Sequence, residues 1–207
     1  MFRSSTTGVA LQQTGTKPSS SKSHTHDGFR VKLVEVVDDE ERAKLISDPM
    51  RRAILNLLRK KPLTEAELAE SLGLTDATVN YHLNLLRGSG FISIVKEELE
   101  EHGIMQKFYA PTAFLYLPDV ASLPKQVARY YYPINIERAR GILGALATKE
   151  GARDFKGEDI DKMGEDLAKA LVDVARGYAG RVVNQGEGEP LVNKIYIEAL
   201  SVLKSLP

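Results

Sequence analysis

Four polar residues stand close together at Thr78, Asn80, Tyr81 and Asn84, interleaved with Val79, Leu83 and Leu86. On a helix, the three apolar residues fall on one stripe and the polar ones on the flanks and the outer face. These side-chain types suit recognition of base edges. An asparagine amide can pair bidentately with adenine, and threonine offers a hydroxyl together with a methyl that suits thymine. Arg87, at the end of the same segment, suits a phosphate better than a base. Any surface helix shows polar residues opposite an apolar stripe, so the surrounding elements must decide.

Asp48-Pro49 reads as a helix start, with Asp as N-cap and Pro at the first helical position. Ile54, Leu55, Leu57 and Leu58 give that helix an apolar face, and Lys60-Lys61-Pro62 ends it. Thr64 and Glu67 match a capping box that opens a short second helix through Leu72. Gly73 supplies a tight turn, Thr75 or Asp76 caps the third helix, and Gly88 stops it. Two strands follow, at 91–95 and 104–109, with a loop over 96–103 as the wing of a hairpin. Upstream, 29–36 alternates like a strand, and a helix is expected over roughly 38–47. Helix, helix, turn, helix and hairpin in this order make a winged helix-turn-helix, whose third helix would enter the major groove. From 116 onward the pattern is helical. Helices are expected over 123–132, stopping at Pro133, over 136–148, along the stripe from Ile160 to Tyr178, and over 191–206. Gly186 to Pro190 reads as a loop. The expected architecture is mostly α with a small β hairpin: a winged helix-turn-helix domain at 29–115, preceded by a disordered basic arm at 1–28 and followed by a helical dimerisation or interaction region at 116–207.

The chain has 207 residues, 43% of them hydrophobic and 27% charged, which is globular composition. No apolar run is long enough to span a bilayer and no signal-peptide block opens the sequence, so a cytoplasmic protein without a membrane partner is expected. Cysteine is absent, which excludes disulfides, thiolate metal sites and thiol catalysis. His24 and His26 share a polar tail and read as solvated rather than metal-bound. No phosphate-cradling glycine loop, Gly-x-Ser-x-Gly or His-Glu-x-x-His occurs, so neither an enzyme nor a cofactor is expected. Net charge is zero, and its distribution is uneven. Residues 1–34 carry five basic side chains, among them Lys17, Lys22, Arg30 and Lys32, against one acid, whereas residues 47–115 carry eight basic and nine acidic. The basic surplus therefore sits in the arm.

The segments "SDPMRRAILNLL", "LTEAELAESLGLTDATVNYHLNLLRGSGFI" and "QKFYAPT" resemble the ArsR-type winged-helix transcription regulators, most of all their archaeal branch. The resemblance covers roughly 31–115 and is most specific from Ala69 to Ile92. It implies that Thr75, Thr78, Asn80, Tyr81, His82 and Asn84 belong to the base-reading helix, and that the fold is a homodimer on double-stranded DNA. Phosphate contacts are then expected from Arg52, Lys61, Arg87, Lys96 and Lys107. The sequence departs from the family in two respects. Many members sense metals through cysteines, and this chain has none. Its wing is acidic, with Glu97, Glu98, Glu100 and Glu101 against Lys96 and Lys107. Carboxylates there repel phosphates, and counterion release supplies much of DNA affinity. The neutral module and acidic wing keep a second expectation open, a winged-helix protein- or RNA-binding factor acting on a ribosome or transcription complex. In the C-terminal region Gly141, Gly144 and Ala145 would allow close helix approach. Tyr130-Tyr131-Tyr132-Pro133 would pack in a core or interface, or line a small-ligand pocket.

Overall fold

The structure, a computed structural model, describes residues 29–99, 103–150 and 156–203. Along the chain run β1 (Arg30–Val37), α1 (Glu40–Ile46), α2 (Pro49–Leu58), α3 (Glu65–Leu72), α4 (Asp76–Gly88), β2 (Ile92–Leu99) and β3 (Met105–Pro111). There follow β4 (Ala113–Pro118), α5 (Lys125–Ala128), α6 (Tyr132–Glu150), α7 (Gly157–Arg176), β5 (Val182–Asn184) and α8 (Gln185–Val202). The protein is a winged helix-turn-helix followed by a largely helical region. No helix among the described residues is long and apolar enough to cross a membrane.

Local chemistry sets the helix starts of the first half. The Asp48 carboxylate accepts from the Arg51 amide at 3.0 Å, one residue ahead of Pro49. Thr64 Oγ1 accepts from the Glu67 amide at 3.2 Å, and Glu67 Oε2 accepts from the Thr64 amide at 2.8 Å, which completes the capping box. Gly73 holds φ +65°, the left-handed conformation that ends α3 at low cost. Of the two candidate caps for α4, Thr75 serves. Gly88 is the last helical residue of α4, and the left-handed turn that follows falls at Gly90, φ +74°. The hairpin of β2 and β3 pairs antiparallel from Ile92–Pro111 to Leu99–Met105, with a bulge between Ile94 and Lys96. Pairing thus continues into the segment expected as wing loop. Leu63 and Tyr109 exchange backbone hydrogen bonds and fasten the hairpin to the start of α3.

The second half differs from a simple stack of helices. β1 is the central strand of a three-stranded mixed sheet, parallel to β4 on one side and antiparallel to β5 on the other. Its Val31, Leu33 and Val34 join Phe114, Leu115, Leu117, Leu167, Leu171 and Ile195 in a core of their own. The strand read from sequence as part of the winged helix therefore packs mainly with the C-terminal helices, although Val37 reaches the other core. β4 and β5 fall inside stretches read as helical or unassigned. Pro133 starts α6 rather than stopping a helix, because a proline in the first turn forfeits no intrahelical bond. Gly186 to Pro190 forms the first turns of α8 rather than a loop. Close helix approach occurs at Gly164 of α7, where an added Cβ would lie 3.2 Å from the Asn135 backbone of α6. Gly141 and Gly144 face open space instead.

Tyr116 joins the two cores. Its ring stands edge-on to Phe91, 4.9 Å between centroids. Its hydroxyl donates to the Phe91 carbonyl at 2.6 Å and accepts from the Ala113 and Thr112 amides at 2.9 and 3.1 Å. Burial pushes the phenol pKa up to about 12, against the hydrogen bonds that favour its ionised form, so the group stays neutral. Tyr116→Phe strands several buried partners at once and is expected to cost about 1–3 kcal/mol. Denaturant unfolding checks this, with a lower midpoint and an unchanged slope.

Candidate nucleic-acid interface

α4 is held by its inner stripe. Val79, Leu83 and Leu86 are fully buried beside Ile54, Leu58 and Leu68 of α2 and α3. The spacing that buries these three turns the residues between them outward. Thr75, Thr78, Asn80, Tyr81, Asn84 and Arg87 are all exposed. Tyr81 stands out at 61% exposure, a large aromatic ring left in water on a firmly braced helix.

The polar groups are not equally free. Thr75 Oγ1 accepts the Thr78 amide at 3.3 Å and lies 2.9 Å from the Thr78 hydroxyl, so it works as a cap. Asn84 Nδ2 donates to Asn80 Oδ1 at 2.7 Å, and Asn80 Nδ2 donates to Glu65 Oε2 at 2.6 Å. Both ends of the Asn80 amide are thereby engaged. Glu65 was not among the residues singled out from sequence, because only the folding of α3 against α4 brings it there. His82 is half-buried, with its Nδ1 enclosed and without a hydrogen-bond partner, and its ring meets Tyr81 edge-on at 5.4 Å. It backs the tyrosine rather than facing outward with Asn84.

The cations divide in the same way. Arg87 and Lys107 are exposed and make no ion pair with a described residue. Lys61 lies 3.7 Å from Glu67. Lys96 pairs with Glu98 and sits 5.1 Å over the Phe108 ring. Arg52 is displaced from the expected set: it is half-buried and lines a cavity with Tyr131 and Asn135, on the side of α2 that meets the C-terminal region. Arg30 and Lys32 belong to β1, with Lys32 3.8 Å from Glu35, while Lys17, Lys22 and the wing-tip Glu100 and Glu101 lie outside the described residues. Between the start of α3 and β3 lies a cleft of about 270 Å³, lined by Glu65, Asp76, Lys107 and Tyr109 among others. Burial raises the Tyr109 phenol pKa, Glu65 and Glu97 raise it further, and Arg87 opposes them. The wing also exposes Val95, Leu99, Ile104 and Met105, an apolar tip that charge reading alone does not reveal. Among the described residues no three His, Asp or Glu side chains converge as metal ligands.

This arrangement can present a rigid helix with an aromatic ring and amide groups on its outer face, flanked by two cations that no described residue pairs and by several carboxylates. Comparison with known proteins agrees with the local fold. A helix-turn-helix domain family matches residues 46–95. The transcriptional repressor SdpR of Bacillus subtilis (strain 168) is 40% identical over 50 residues, which are 24% of this chain and 56% of that repressor. The chain thus spans little more than half the length of the curated relative it matches.

Proposed function

We propose that this protein is a sequence-specific DNA-binding transcription regulator that acts as a homodimer, each α4 meeting the major groove of one half-site. One observation carries the reading. The inner stripe of α4 is wholly buried while its outer face, centred on Tyr81 and Asn84, is left uncovered by the other described residues. A helix braced so firmly and left so bare is suited to insertion into a groove. Tyr81, Asn84 and Thr78 read bases, and Asn80 joins them when it leaves Glu65. Arg87 and Lys107 contact phosphates, and Lys61 and Lys96 do so by exchanging their carboxylate partners. Thr75 holds the helix start, and His82 orients Tyr81. The dimer is supported by the exposed small residues Gly141, Gly144 and Ala145 on α6. We further propose that residues 1–28 act as a basic arm adding sequence-independent affinity.

The test is a binding titration on random duplex DNA at several salt concentrations, with sedimentation of the same sample at micromolar concentration. Two to four phosphate-contacting cations per subunit predict a slope of log affinity against log salt of roughly −4 to −7 for a dimer, steeper if the arm engages. A monomer in sedimentation refutes the dimer. Glu65, Asp76, Glu97 and Glu98 around the reading face favour the second reading, a factor that docks on protein or RNA. Absence of DNA binding at low salt, with retention on ribosomes or RNA, establishes that reading in place of the first.

A further inference from the structure

Between the two cores lies a cavity of about 310 Å³ that the DNA-reading face does not use. Its wall on one side is α2 and on the others β4, α6, α7 and α8. Leu55, Leu117, Leu171 and Val192 make most of it apolar, yet three arginines, Arg52, Arg59 and Arg138, line it and no carboxylate does. The cations are poorly neutralised. The Arg52 guanidinium makes no hydrogen bond or ion pair with any described residue. Among the described residues the Arg138 guanidinium meets only the Tyr196 ring, 6.0 Å away. Arg59 reaches Glu189 with one terminal nitrogen and lies 4.9 Å over Phe114, but its Nε is buried without a partner.

Three half-buried guanidinium groups around an apolar recess, with Glu189 their one carboxylate partner among the described residues, are short of counterions, and charge withdrawn from water is ordinarily paired. An anion entering the recess makes up that shortage, and arginine's planar fork matches a carboxylate bidentately. The volume is at the low end of the roughly 300–1,000 Å³ usual for ligand pockets. It equals about ten water molecules' share of liquid volume, enough for about a dozen non-hydrogen atoms. We propose that this cavity binds a small organic anion, an apolar body ending in a single carboxylate, with Arg52, Arg59 and Arg138 around the charge. Tyr131, which lines the same recess, donates its hydroxyl to the Ala43 carbonyl of α1. The bound molecule would therefore touch both the winged helix and the C-terminal region. Its effect on the reading head rests on the DNA-binding proposal, whereas its binding does not.

The experiment is calorimetric titration of the full chain, without DNA, with decanoate and 4-phenylbutyrate, each against the alcohol of the same skeleton. Saturable binding of at least one acid below millimolar concentration is expected, at least tenfold tighter than its alcohol. An Arg52→Gln/Arg138→Gln protein should lose that acid-over-alcohol preference while still binding the alcohol. Ala168→Met, which fills the recess from α7 and leaves every charge in place, should weaken acid and alcohol alike. The proposal is overturned if neither acid saturates, if the alcohols bind as tightly as the acids, or if the folded arginine variant keeps the preference. Unchanged acid binding by folded Ala168→Met overturns it equally.

Discussion

A Gly188→Ala protein is expected to lose much of its C-terminal stability. Gly188 is buried in the first turns of α8, and a Cβ there would stand 2.6 Å from Phe114 Cζ and closer still to two other ring carbons. The ring lines the cavity of about 310 Å³ between the two cores, so any retreat disturbs that wall. It is 2% exposed, belongs to the core formed by the mixed sheet, and carries the Arg59 guanidinium above it. Overpacking a tight core typically costs about 1–3 kcal/mol and occasionally more, and this clash belongs at the upper end. Alanine is otherwise the better helix former by roughly 1 kcal/mol, so a loss in unfolding free energy isolates the steric effect. Phe114→Leu makes room, and the Gly188→Ala/Phe114→Leu protein should be more stable than the two single effects add up to. Additive effects in denaturant unfolding would show that α8 does not approach Phe114 so closely.

The second large effect is expected on DNA. Asn84→Ala and Tyr81→Ala should each weaken the preferred site by about 1–3 kcal/mol, roughly five- to 160-fold, and random duplex far less. Arg87→Ala should weaken both similarly, because a phosphate contact carries no sequence information. Asn80 is a more mixed case. Its amide is held by Glu65 and Asn84 in the free protein, so part of any base contact is spent on releasing those bonds. Glu65→Gln is therefore expected to tighten binding to all sequences, by removing a carboxylate beside the reading face. Val79→Ala serves as the stability control, since it opens a cavity behind the helix without touching its outer surface. Competition binding with specific and random duplexes checks the series. Equal losses on both duplexes for Asn84→Ala would assign its role to the backbone rather than to bases.

The winged helix could be read from the chain because its determinants are local. Asp48-Pro49, the Thr64–Glu67 box, Gly73 and the stripe of Val79, Leu83 and Leu86 each act within a few residues, through caps, a left-handed turn and helical period. Such signals need no knowledge of what lies across the molecule. The outward placement of Thr78, Tyr81, Asn84 and Arg87 follows from the same stripe. Asn80 is exposed for the same reason, but its pairing with Glu65 depends on how α3 crosses α4. The displacement of Arg52 into the cavity depends on what covers α2, and that is the region from Phe114 onward. β1 alternates like an ordinary hairpin strand, yet its partners lie some 80 and 150 residues away in sequence, at β4 and β5. A strand carries its inward and outward faces in its own sequence, but its neighbours in a sheet are chosen by long-range pairing. Gly186 to Pro190 shows the same limit in a helix. Glycine and proline there weigh locally for a loop, and tertiary packing overrides them because only a glycine at 188 lets α8 approach Phe114. The sequence by itself determined the helix-turn-helix and the face that α4 presents. The tertiary structure decided which polar groups on that face are free, and where the arginines behind it gather.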